Sequence, residues 1–470
     1  MKFCFINPPW FFKEEIEFIS HNLGLGYIIS LLEANGHEVQ FIDALAEGID
    51  NKVCVDTKYQ KVNRYGLSYK EISEKIESDA DYIGITGPFT DSAMILRELI
   101  SVIKEKCPEK PVIAGGVYPS TLPRRALDLG ADIVVRGEGE LAMLHLARGD
   151  KPEDIKGLVF YRDGQIVNNG TAELIKDLDA IPLPSYSKRP VDFYFSWSPR
   201  GDRENQTASM ITSRGCPFSC SFCSIHPVYG QNWRARTPEN VLGEIKLLVE
   251  EYGINHIEFE DDNFTLQPER VEAILNGIIE INRGKSGSDR LVWSAPNGIR
   301  LDTLTESLVL KMKESSCKAV CIAVESGDPD ILKRMNKRLD LSKAEEVVKL
   351  FTKHGINSNA FFIIGYPGEN EARFLNSVAF AKKLKKQGLT SISPLVATPY
   401  PGTPLFSECQ EKGYLRYPDV ENVLYLAQYS SYNSDFVQIE TPDFSVNDVM
   451  RRYKYFQDEF GGDGIKYNVY

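Results

Sequence analysis

Residues 213–227 read SRGCPFSCSFCSIHP, and this stretch decides both the fold and the chemistry that we predict for the chain. Its cysteines, Cys216, Cys220 and Cys223, are spaced C-x-x-x-C-x-x-C and follow an apolar run, ASMIT, that predicts a β-strand. Three thiolates on one loop suit an iron–sulfur cubane, which takes four ligands. One iron would therefore stay open to an external ligand that binds through an amine and a carboxylate.

Three alternatives compete with the cubane. A zinc ion would need a fourth nearby ligand, for which His226 is the candidate. A two-cluster ferredoxin would carry further closely spaced cysteines, whereas the other six cysteines of this chain are scattered. The third alternative is three structural cysteines that share this spacing by chance. The spacing in a glycine-flanked loop favours a [4Fe–4S] cluster over all three.

Around this motif, residues 206–405 repeat a strand–helix unit six times. The predicted helices begin near Pro238, Pro268, Leu304, Leu341 and Glu371. The predicted strands are ASMITSRG, HIEFEDD, LVWSAPNG, AVCIAVES, NAFFIIG and SISPLVAT. Short strands that alternate with amphipathic helices predict a partial (β/α)6 TIM-type barrel, whose functional loops lie at the carboxyl ends of its strands.

Residues 1–148 also alternate strand and helix patterns, which predicts an α/β fold with a Rossmann-like, doubly wound parallel sheet. The apolar runs are KFCFINPP, HEVQFIDA, DYIGITGP, KPVIAGGV and ADIVVRGE. In such sheets ligands bind beyond the carboxyl ends of the strands, where glycine lets the backbone come close to a ligand. The polar and glycine-containing ends here are Asn7-Pro8-Pro9, Thr86-Gly87-Pro88, Gly115-Gly116 and Gly137-Glu138-Gly139.

Two further segments complete the predicted domain organisation. Residues 149–205 are a linker whose stretch GLVFYRDGQIV predicts a hairpin that turns at Asp163-Gly164. Residues 406–470 lose the strand–helix repeat, and we expect a small C-terminal cap. A packing extension and a lid that contacts the substrate are equally consistent with its many tyrosines, which are Tyr414, Tyr417, Tyr425, Tyr429, Tyr432, Tyr453, Tyr455, Tyr467 and Tyr470.

The composition limits the classes of function. The chain has 54 basic and 66 acidic side chains and a net charge of −12, which argues against a nucleic-acid substrate. No apolar run approaches the roughly 20 residues that span a bilayer. Asn7, Pro8 and Pro9 interrupt the apolar start, and Glu14 and Glu15 come next, so we expect no export signal and a cytoplasmic protein.

The cysteine motif and the strand ends around it resemble the radical S-adenosylmethionine (SAM) superfamily over residues 206–405. The resemblance implies that SAM binds the open iron and that an electron from the cluster breaks its sulfonium bond. Contacts to adenine are implied for Phe222, Ile364 and Gly365, and contacts to the methionine amino group for Asp261 and Asp262. The remaining implied SAM-binding residues come after the third and fourth strands, and they are Asn297, Arg300, Glu325 and Ser326.

Residues 1–148 resemble the cobalamin-binding domain that precedes the barrel in one branch of this superfamily. The matching stretches are LGLGYIISLLEANGHEV, ADYIGITGPFT, VIAGGVYPS and VVRGEGE. The chain departs from many cobalamin domains because it lacks Asp-x-His-x-x-Gly, whose histidine ligates cobalt, although the radical branch often lacks this motif too. The residues that the resemblance places against the cobalamin tail are Thr86, Gly87, Gly115, Gly116, Gly137, Glu138 and Gly139.

This branch implies a cobalamin-dependent methyltransferase that acts on an unactivated carbon, with the two cofactors meeting between the strand ends. One SAM supplies the methyl group through cobalamin, and a second yields the 5′-deoxyadenosyl radical that abstracts hydrogen from the substrate. Relatives with the same two domains also cyclise or rearrange substrates, as in ring formation on tetrapyrroles. The substrate would be a small molecule, a lipid or a peptide, and the electron donor a ferredoxin or flavodoxin.

Two other functions remain as alternatives. A methylthiotransferase-like RNA-modifying enzyme would use three N-terminal cysteines for a second cluster, but Cys4, Cys54 and Cys107 do not show that context. A non-enzymatic cobalamin or redox sensor would leave SAM unconsumed. An auxiliary cluster on Cys317, Cys321 and Cys409 is not expected, because buried thiols beside a strand are common.

Overall fold

The computed structural model describes residues 1–12, 16, 19, 22–57, 61–89, 92–196, 206–417 and 437–460. Of the predicted cap, Tyr425, Tyr429, Tyr432, Tyr467 and Tyr470 lie outside the described residues. The chain divides into two compact units, of which the first holds Met1–Tyr194 and the second holds most of the residues after Tyr194. Among the described residues, no helix is both long and apolar enough to cross a membrane.

The first unit has ten described strands, of which five match the predicted apolar runs and two form the predicted hairpin. In chain order they are β1 (Lys2–Asn7), β2 (Trp10–Phe12), β3 (Glu38–Asp43), β4 (Lys52–Asp56), β5 (Lys61–Tyr65), β6 (Tyr82–Thr86), β7 (Val112–Gly115), β8 (Ile133–Val135), β9 (Leu158–Arg162) and β10 (Gln165–Asn168).

Seven of these described strands form one sheet in the order β10-β9-β8-β7-β6-β1-β3. The five strands from β3 to β8 in that order run parallel, which confirms the Rossmann-like prediction. From β1 the chain goes to β3 on one side of β1, and it later crosses to β6 on the other side. The topological switch point therefore lies between β1 and β6. Ligands of doubly wound sheets bind at such a point, outside the carboxyl ends of the strands.

The predicted hairpin is confirmed, but it does not stand apart from the first unit. β9 and β10 are antiparallel around Asp163 and Gly164, which both have positive φ. β9 also pairs antiparallel with β8, from Ile133–Phe160 to Val135–Leu158. The segment that we predicted as a linker therefore extends the first sheet by two strands, because the buried half of β9 continues its apolar surface.

A small antiparallel sheet, β2-β5-β4, is the element of the first unit that the sequence analysis missed. Its strands are short, and β4 is mostly exposed. Neither the length of these strands nor an alternation of apolar residues therefore predicted this sheet. The sheet packs through aromatic rings, with Phe12 against Tyr65 at 5.6 Å between ring centroids.

The helices of the first unit cover the sheet with apolar faces. In chain order they are α1 (Leu23–Ala34), α2 (Ala44–Glu47), α3 (Tyr69–Lys75), α4 (Ala93–Lys106), α5 (Val117–Thr121), α6 (Pro123–Asp128), α7 (Gly139–Ala147) and α8 (Val191–Ser196). The start of α3 is a capping box, in which Ser68 and Glu71 satisfy each other's backbone N–H groups.

The second unit contains six parallel strands whose sheet order equals their chain order, among the residues described there. All the strands described in this unit are, in chain order, β11 (Thr207–Met210), β12 (Ser213–Arg214), β13 (Arg234–Ala235), β14 (His256–Phe259), β15 (Val292–Ile299), β16 (Cys317–Glu325), β17 (Asn357–Ile364) and β18 (Ser391–Val396). Of these, β12 and β13 form a separate antiparallel ribbon, and the other six form the parallel sheet. Sequential parallel order is that of a partial (β/α)6 barrel, as predicted.

Helices separate these strands. They are α9 (His226–Tyr229), α10 (Pro238–Tyr252), α11 (Pro268–Ile281), α12 (Glu306–Glu314), α13 (Pro329–Arg334), α14 (Leu341–His354), α15 (Glu371–Lys386), α16 (Pro404–Glu411) and α17 (Val446–Phe460). Four starts match the prediction, while the helix expected near Leu304 begins at Glu306 because Thr305 caps it. Fully buried aromatic residues, among them Trp293, Phe259 and Phe264, pack together in the core of this unit.

Candidate functional site

The cysteine loop comes after β11 and is anchored at its base by the β12–β13 ribbon, in which Ser213 pairs with Ala235 and Arg214 with Arg234. Gly215 then turns the chain with φ +82°, a conformation that glycine adopts without strain. Cys220 is buried, and Cys216 and Cys223 are half-buried. The three cysteines thus lie in one sheltered loop beside the carboxyl ends of the barrel strands.

Burial disfavours charge on all three thiols. It raises the pKa of Cys216 and Cys220, and it raises the pKa of Cys223 to about 12. Protons would therefore stay on the sulfurs unless a cation compensates their charge, and coordination to metal deprotonates a thiol outright. A cluster that binds here would therefore have to displace a proton from each thiol.

The residues beside the loop fit an iron–sulfur cluster better than a single metal ion. The side-chain oxygen and nitrogen of Asn263 are both buried without a hydrogen-bond partner among the described residues, yet Asn263 lies beside Cys216 and favours its thiolate form. In the described part of the chain, no three histidine, cysteine or acidic side chains converge on a point that one ion could occupy. His226, the candidate fourth ligand of the zinc alternative, contacts the carbonyl oxygen of Cys216 at 3.3 Å.

The two predicted aspartates after β14 have different environments. Asp261 accepts hydrogen bonds from the N–H and the hydroxyl of Thr212, both at 2.6 Å, and from the hydroxyl of Ser213. Asp262 accepts one from the N–H of Gly215 at 3.3 Å. Burial and the neighbouring carboxyl of Asp261 raise the pKa of Asp262 to about 7. Asp261 therefore supports the loop, while the carboxylate of Asp262 can accept further hydrogen bonds from a cationic ligand.

Of the two residues predicted to follow the third strand, Arg300 follows β15 and contributes a cation to the loop, whereas Asn297 lies within β15. The guanidinium of Arg300 stacks on the ring of Phe218, 3.5 Å from its centroid, and also pairs with Asp302. Asn297 is exposed, and its amide donates to the carbonyl of Glu260 at 2.9 Å. The structure thus brings Arg300 to the cysteine loop, whereas the side chain of Asn297 is used to hold the end of β14. Phe222 is half-buried within the loop.

Glu325 and Ser326 end β16 and are also used differently. The carboxylate of Glu325 accepts a hydrogen bond from the ammonium of Lys337 at 2.9 Å, and both side chains are buried. The hydroxyl of Ser326 contacts that of Ser377 at 3.0 Å and accepts from the N–H of Asp328. Ser326 is therefore committed to the packing of α15.

Ile364 and Gly365 end β17 under the C-terminal helix α17. Gly365 has φ +78°, and its N–H donates to the carboxylate of Glu369 at 3.0 Å. Arg452 of α17 pairs with the buried Glu369. A Cβ atom at Gly365 would lie 2.9 Å from Val449. The predicted adenine-binding strand end is thus shaped by a helix that the sequence alone did not connect to it.

In the first unit, the ends of β6 and β7 approach each other through glycine. Gly87 donates to the carbonyl of Gly115 at 2.7 Å. Gly116 has φ +104°, and a Cβ atom there would lie 2.5 Å from the carbonyl oxygen of Gly87. Thr86 is buried and faces Asn22, the cap of α1, at 3.4 Å. These four predicted residues lie together beside the switch point.

The remaining three predicted residues of this unit have structural partners. The N–H of Gly137 donates to the hydroxyl of Ser120 at 3.0 Å. The buried carboxylate of Glu138 accepts from the N–H of Ile175 at 2.9 Å. A Cβ atom at Gly139 would lie 2.8 Å from Ile28, so this glycine allows α1 and α7 to pack closely.

The sequence analysis missed a buried polar cluster at the ends of β1 and β3. Tyr194 donates to Asp43 at 2.7 Å, and Asn7 donates to Asp43 and to Tyr194 at 3.0 and 3.1 Å. Burial raises the pKa of Asp43. Parallel pairing of Asn7 with Asp43 could have been expected from the strand pattern. Tyr194 lies 151 residues beyond Asp43, and nothing in the sequence indicated that it contacts this pair.

Sequence models and relatives agree on the class of protein. A model of the B12 binding domain matches residues 10–147, and one of the radical SAM superfamily matches residues 210–381. An uncharacterized methyltransferase of Pyrococcus horikoshii is 32% identical over 448 residues, 92% of this chain and 89% of that protein. This chain belongs to the B12-binding radical SAM enzymes.

Other relatives of this radical SAM enzyme differ in their named reactions. The cytidylyl-2-hydroxyethylphosphonate methyltransferase of Streptomyces wedmorensis is 30% identical over 91% of this chain and 84% of its own length. The anaerobic magnesium-protoporphyrin IX monomethyl ester cyclase of Cereibacter sphaeroides is 24% identical over 83% of this chain and 60% of its own length. The radical SAM methyltransferase TsrM of Kitasatospora setae shares the fold, with a TM-score of 0.67 at 19% identity over 89% of this chain and 76% of that one.

These findings confirm the family, the fold and the cofactor set that the sequence predicts for this radical SAM enzyme: a [4Fe–4S] cluster, SAM and cobalamin. A non-enzymatic sensor is not supported. The assignment of individual residues to each cofactor stays a proposal.

Proposed function

We propose that this radical SAM enzyme methylates an unactivated carbon of a small-molecule, lipid or peptide substrate in a cobalamin-dependent reaction. When bound, the cofactors supply reductive cleavage of SAM, hydrogen abstraction by the resulting radical, and a methyl group carried by cobalamin. The observation that carries the proposal is that two relatives at least 30% identical over nine tenths of the chain are both named methyltransferases.

Named residues of the second unit have defined parts in this proposal. Cys216, Cys220 and Cys223 hold the cluster, and the amide of Asn263 lies beside the first of them. The carboxylate of Asp262 accepts a hydrogen bond from the amino group of SAM in addition to the bond that it accepts from Gly215. Cys220 is buried and the other two cysteines are half-buried, and such shelter from water would protect a radical from side reactions.

In the first unit, we propose that the crevice beside the switch point takes the cobalamin tail. Gly87, Gly115 and Gly116 bring the ends of β6 and β7 close together beside that crevice, because a Cβ atom at Gly116 would meet the backbone of Gly87. The sequence lacks the Asp-x-His-x-x-Gly motif, whose histidine ligates cobalt in many cobalamin domains. We therefore propose that cobalt is held without the histidine of that motif.

Cofactor content and reaction products test this proposal. The chain is purified without oxygen, reconstituted with iron, sulfide and hydroxocobalamin, and desalted. We expect about one cobalamin and one [4Fe–4S] cluster per chain, and on reduction with SAM both S-adenosylhomocysteine and 5′-deoxyadenosine. Loss of the cluster and of 5′-deoxyadenosine is expected when all three cysteines are changed to alanine. Retention of no cobalamin by a chain with an intact cluster would overturn the methyltransferase proposal.

Cyclisation is the second candidate, because a cyclase is among the relatives. The two reactions differ in their SAM products. A cyclase consumes SAM only to 5′-deoxyadenosine, and its product loses hydrogens, whereas methyl transfer also yields S-adenosylhomocysteine and a product heavier by one methylene.

The partners are proposed from the net charge of the sequence and from the family. The net charge of −12 disfavours binding to nucleic acid, and a low-potential ferredoxin or flavodoxin would supply electrons. A gel-shift assay at low salt tests the first point, and we expect no shift of RNA or DNA.

A further inference from the structure

Three strained residues surround one buried lysine of the second unit. Glu325, Asn336 and Arg338 have φ of +67°, +53° and +49°, and they are three of five non-glycine residues with positive φ in the described chain. Such a conformation is unfavourable for a residue with a side chain and persists where the surrounding structure imposes it. Between Asn336 and Arg338 lies Lys337, whose ammonium is buried against Glu325.

The segment that carries Lys337 is clamped to the cysteine loop on both sides of Cys220. The amide of Asn336 donates to the carbonyl and the hydroxyl of Ser219, at 2.9 and 2.7 Å. On the other side of Cys220, the N–H of Ser221 donates to the carbonyl of Met335 at 2.9 Å. The strained turn therefore holds the lysine in a fixed relation to one cluster ligand.

Lys337 directly follows Asn336, so its buried ammonium is carried by the segment that is hydrogen-bonded to both neighbours of Cys220, Ser219 and Ser221. Its partner Glu325 stands at the end of β16 and contacts this segment through the ammonium at 2.9 Å. The cation of the pair therefore belongs to the segment clamped around Cys220, and the anion belongs to the end of β16.

We propose that Lys337 is a positioning residue that raises the reduction potential of the cluster by placing a fixed positive charge beside Cys220. The proposal rests on the cluster assignment under "Proposed function". When the cluster takes one electron from its donor, its net charge becomes more negative by one, and a nearby cation stabilises this reduced form more than the oxidised form. Net charge and burial around the sulfurs are established levers on the potential of such clusters.

The test is a titration of the reconstituted chain with dithionite, followed by electron paramagnetic resonance in the absence of SAM. For Lys337→Met we expect the ratio of reduced to oxidised cluster at a fixed ambient potential to fall roughly tenfold, which corresponds to about 59 mV for a one-electron couple. Lys337→Arg should retain the wild-type potential. Lys353→Met is the matched control, because it breaks an exposed Lys–Glu pair with Glu306 and should shift nothing.

The double variant Lys337→Met/Glu325→Gln removes both members of the pair, so it avoids an unpaired buried carboxylate. Its potential should still lie below that of the wild type. If both Lys337→Met and the double variant hold full iron and titrate like the wild type, the proposal is wrong while the cluster assignment stands. A wild-type chain that assembles no cluster would instead overturn the proposed function and this inference with it.

Discussion

Thr212 occupies both carboxylate oxygens of Asp261, donating its N–H to one and its hydroxyl to the other at 2.6 Å each. The next residue, Asp262, accepts one hydrogen bond from the described residues, at 3.3 Å from the N–H of Gly215. Adjacent aspartates that look equivalent in sequence therefore separate into a support for the cysteine loop and a candidate ligand for SAM.

Asp261→Asn should damage the loop itself. An asparagine can replace only part of the acceptor capacity, so a buried donor from Thr212 or Ser213 loses its partner, at a cost of about 1–3 kcal/mol. We expect a lower free energy of unfolding in urea and less iron bound per chain. Full iron content together with wild-type stability would contradict this role.

Asp262→Asn should spare the fold and the cluster but weaken SAM binding. The substitution keeps the shape of the side chain and removes the negative charge that would attract the amino group. We expect wild-type iron content, and a smaller change in the cluster's electron paramagnetic resonance spectrum on addition of SAM. An unchanged response to SAM would assign the amino group to another residue.

Gly365→Ala should destabilise the second unit by two separable effects. The φ of +78° disfavours any side chain, and the new Cβ atom would lie 2.9 Å from Val449. We expect a loss of about 1–3 kcal/mol in the free energy of unfolding. The double variant Gly365→Ala/Val449→Ala relieves the clash but not the backbone strain, so its total loss should be smaller than the sum of the two single losses. Strict additivity would show that the contact does not matter.

Gly116→Ala should abolish cobalamin retention while the cluster still assembles. Its φ of +104° is combined with a contact of 2.5 Å to the carbonyl oxygen of Gly87, which a Cβ atom would force away. Gly149→Ala is the matched control, since its φ is +83° but nothing lies within 4 Å. The control should lose only about 1–2 kcal/mol to left-handed strain and keep its cobalamin, as measured by absorption after desalting.

Tyr194→Phe should destabilise the first unit more at high pH than at low pH. Burial raises the pKa of Asp43 above its ordinary value of 3.8, so the folded state favours the protonated carboxyl. This contribution to folding stability is full below pH 3.8, and it is lost as the pH rises through the higher pKa of the folded state. The Tyr194 hydroxyl opposes that loss by favouring the carboxylate. Its removal should cost about 1 kcal/mol when Asp43 is neutral and about 2–3 kcal/mol when it is ionised.

Urea denaturation near pH 4, close to the ordinary aspartate pKa, and near pH 8 measures this difference. Tyr161→Phe is the control, because its hydroxyl donates to Asp128 at the surface, where such a bond contributes little at either pH. An equal cost of Tyr194→Phe at both values would show that Asp43 does not change its protonation across this range.

The sequence predicted most strands and helices because their apolar runs, caps and prolines are local signals. It also located the cysteine loop and the carboxyl ends that face ligands, since parallel strands separated by helices place those ends on one edge. It failed where the signal is weak or distant. The β2-β5-β4 sheet has short and partly exposed strands, and the hairpin at Asp163-Gly164 revealed its turn but not its place in the first sheet.

By itself, then, the sequence determined the three-cysteine motif, the two α/β units and the family of the enzyme, because spacing and periodicity are properties of neighbouring residues. Only the tertiary structure decided that Asp261 accepts hydrogen bonds from Thr212 and Ser213, that Ser326 serves packing, and that the segment of Lys337 is hydrogen-bonded on both sides of Cys220. Those distinctions depend on hydrogen bonds and charges between residues that lie far apart in the chain. Folding brings such groups together, and the low polarity of the interior then makes each pairing decisive.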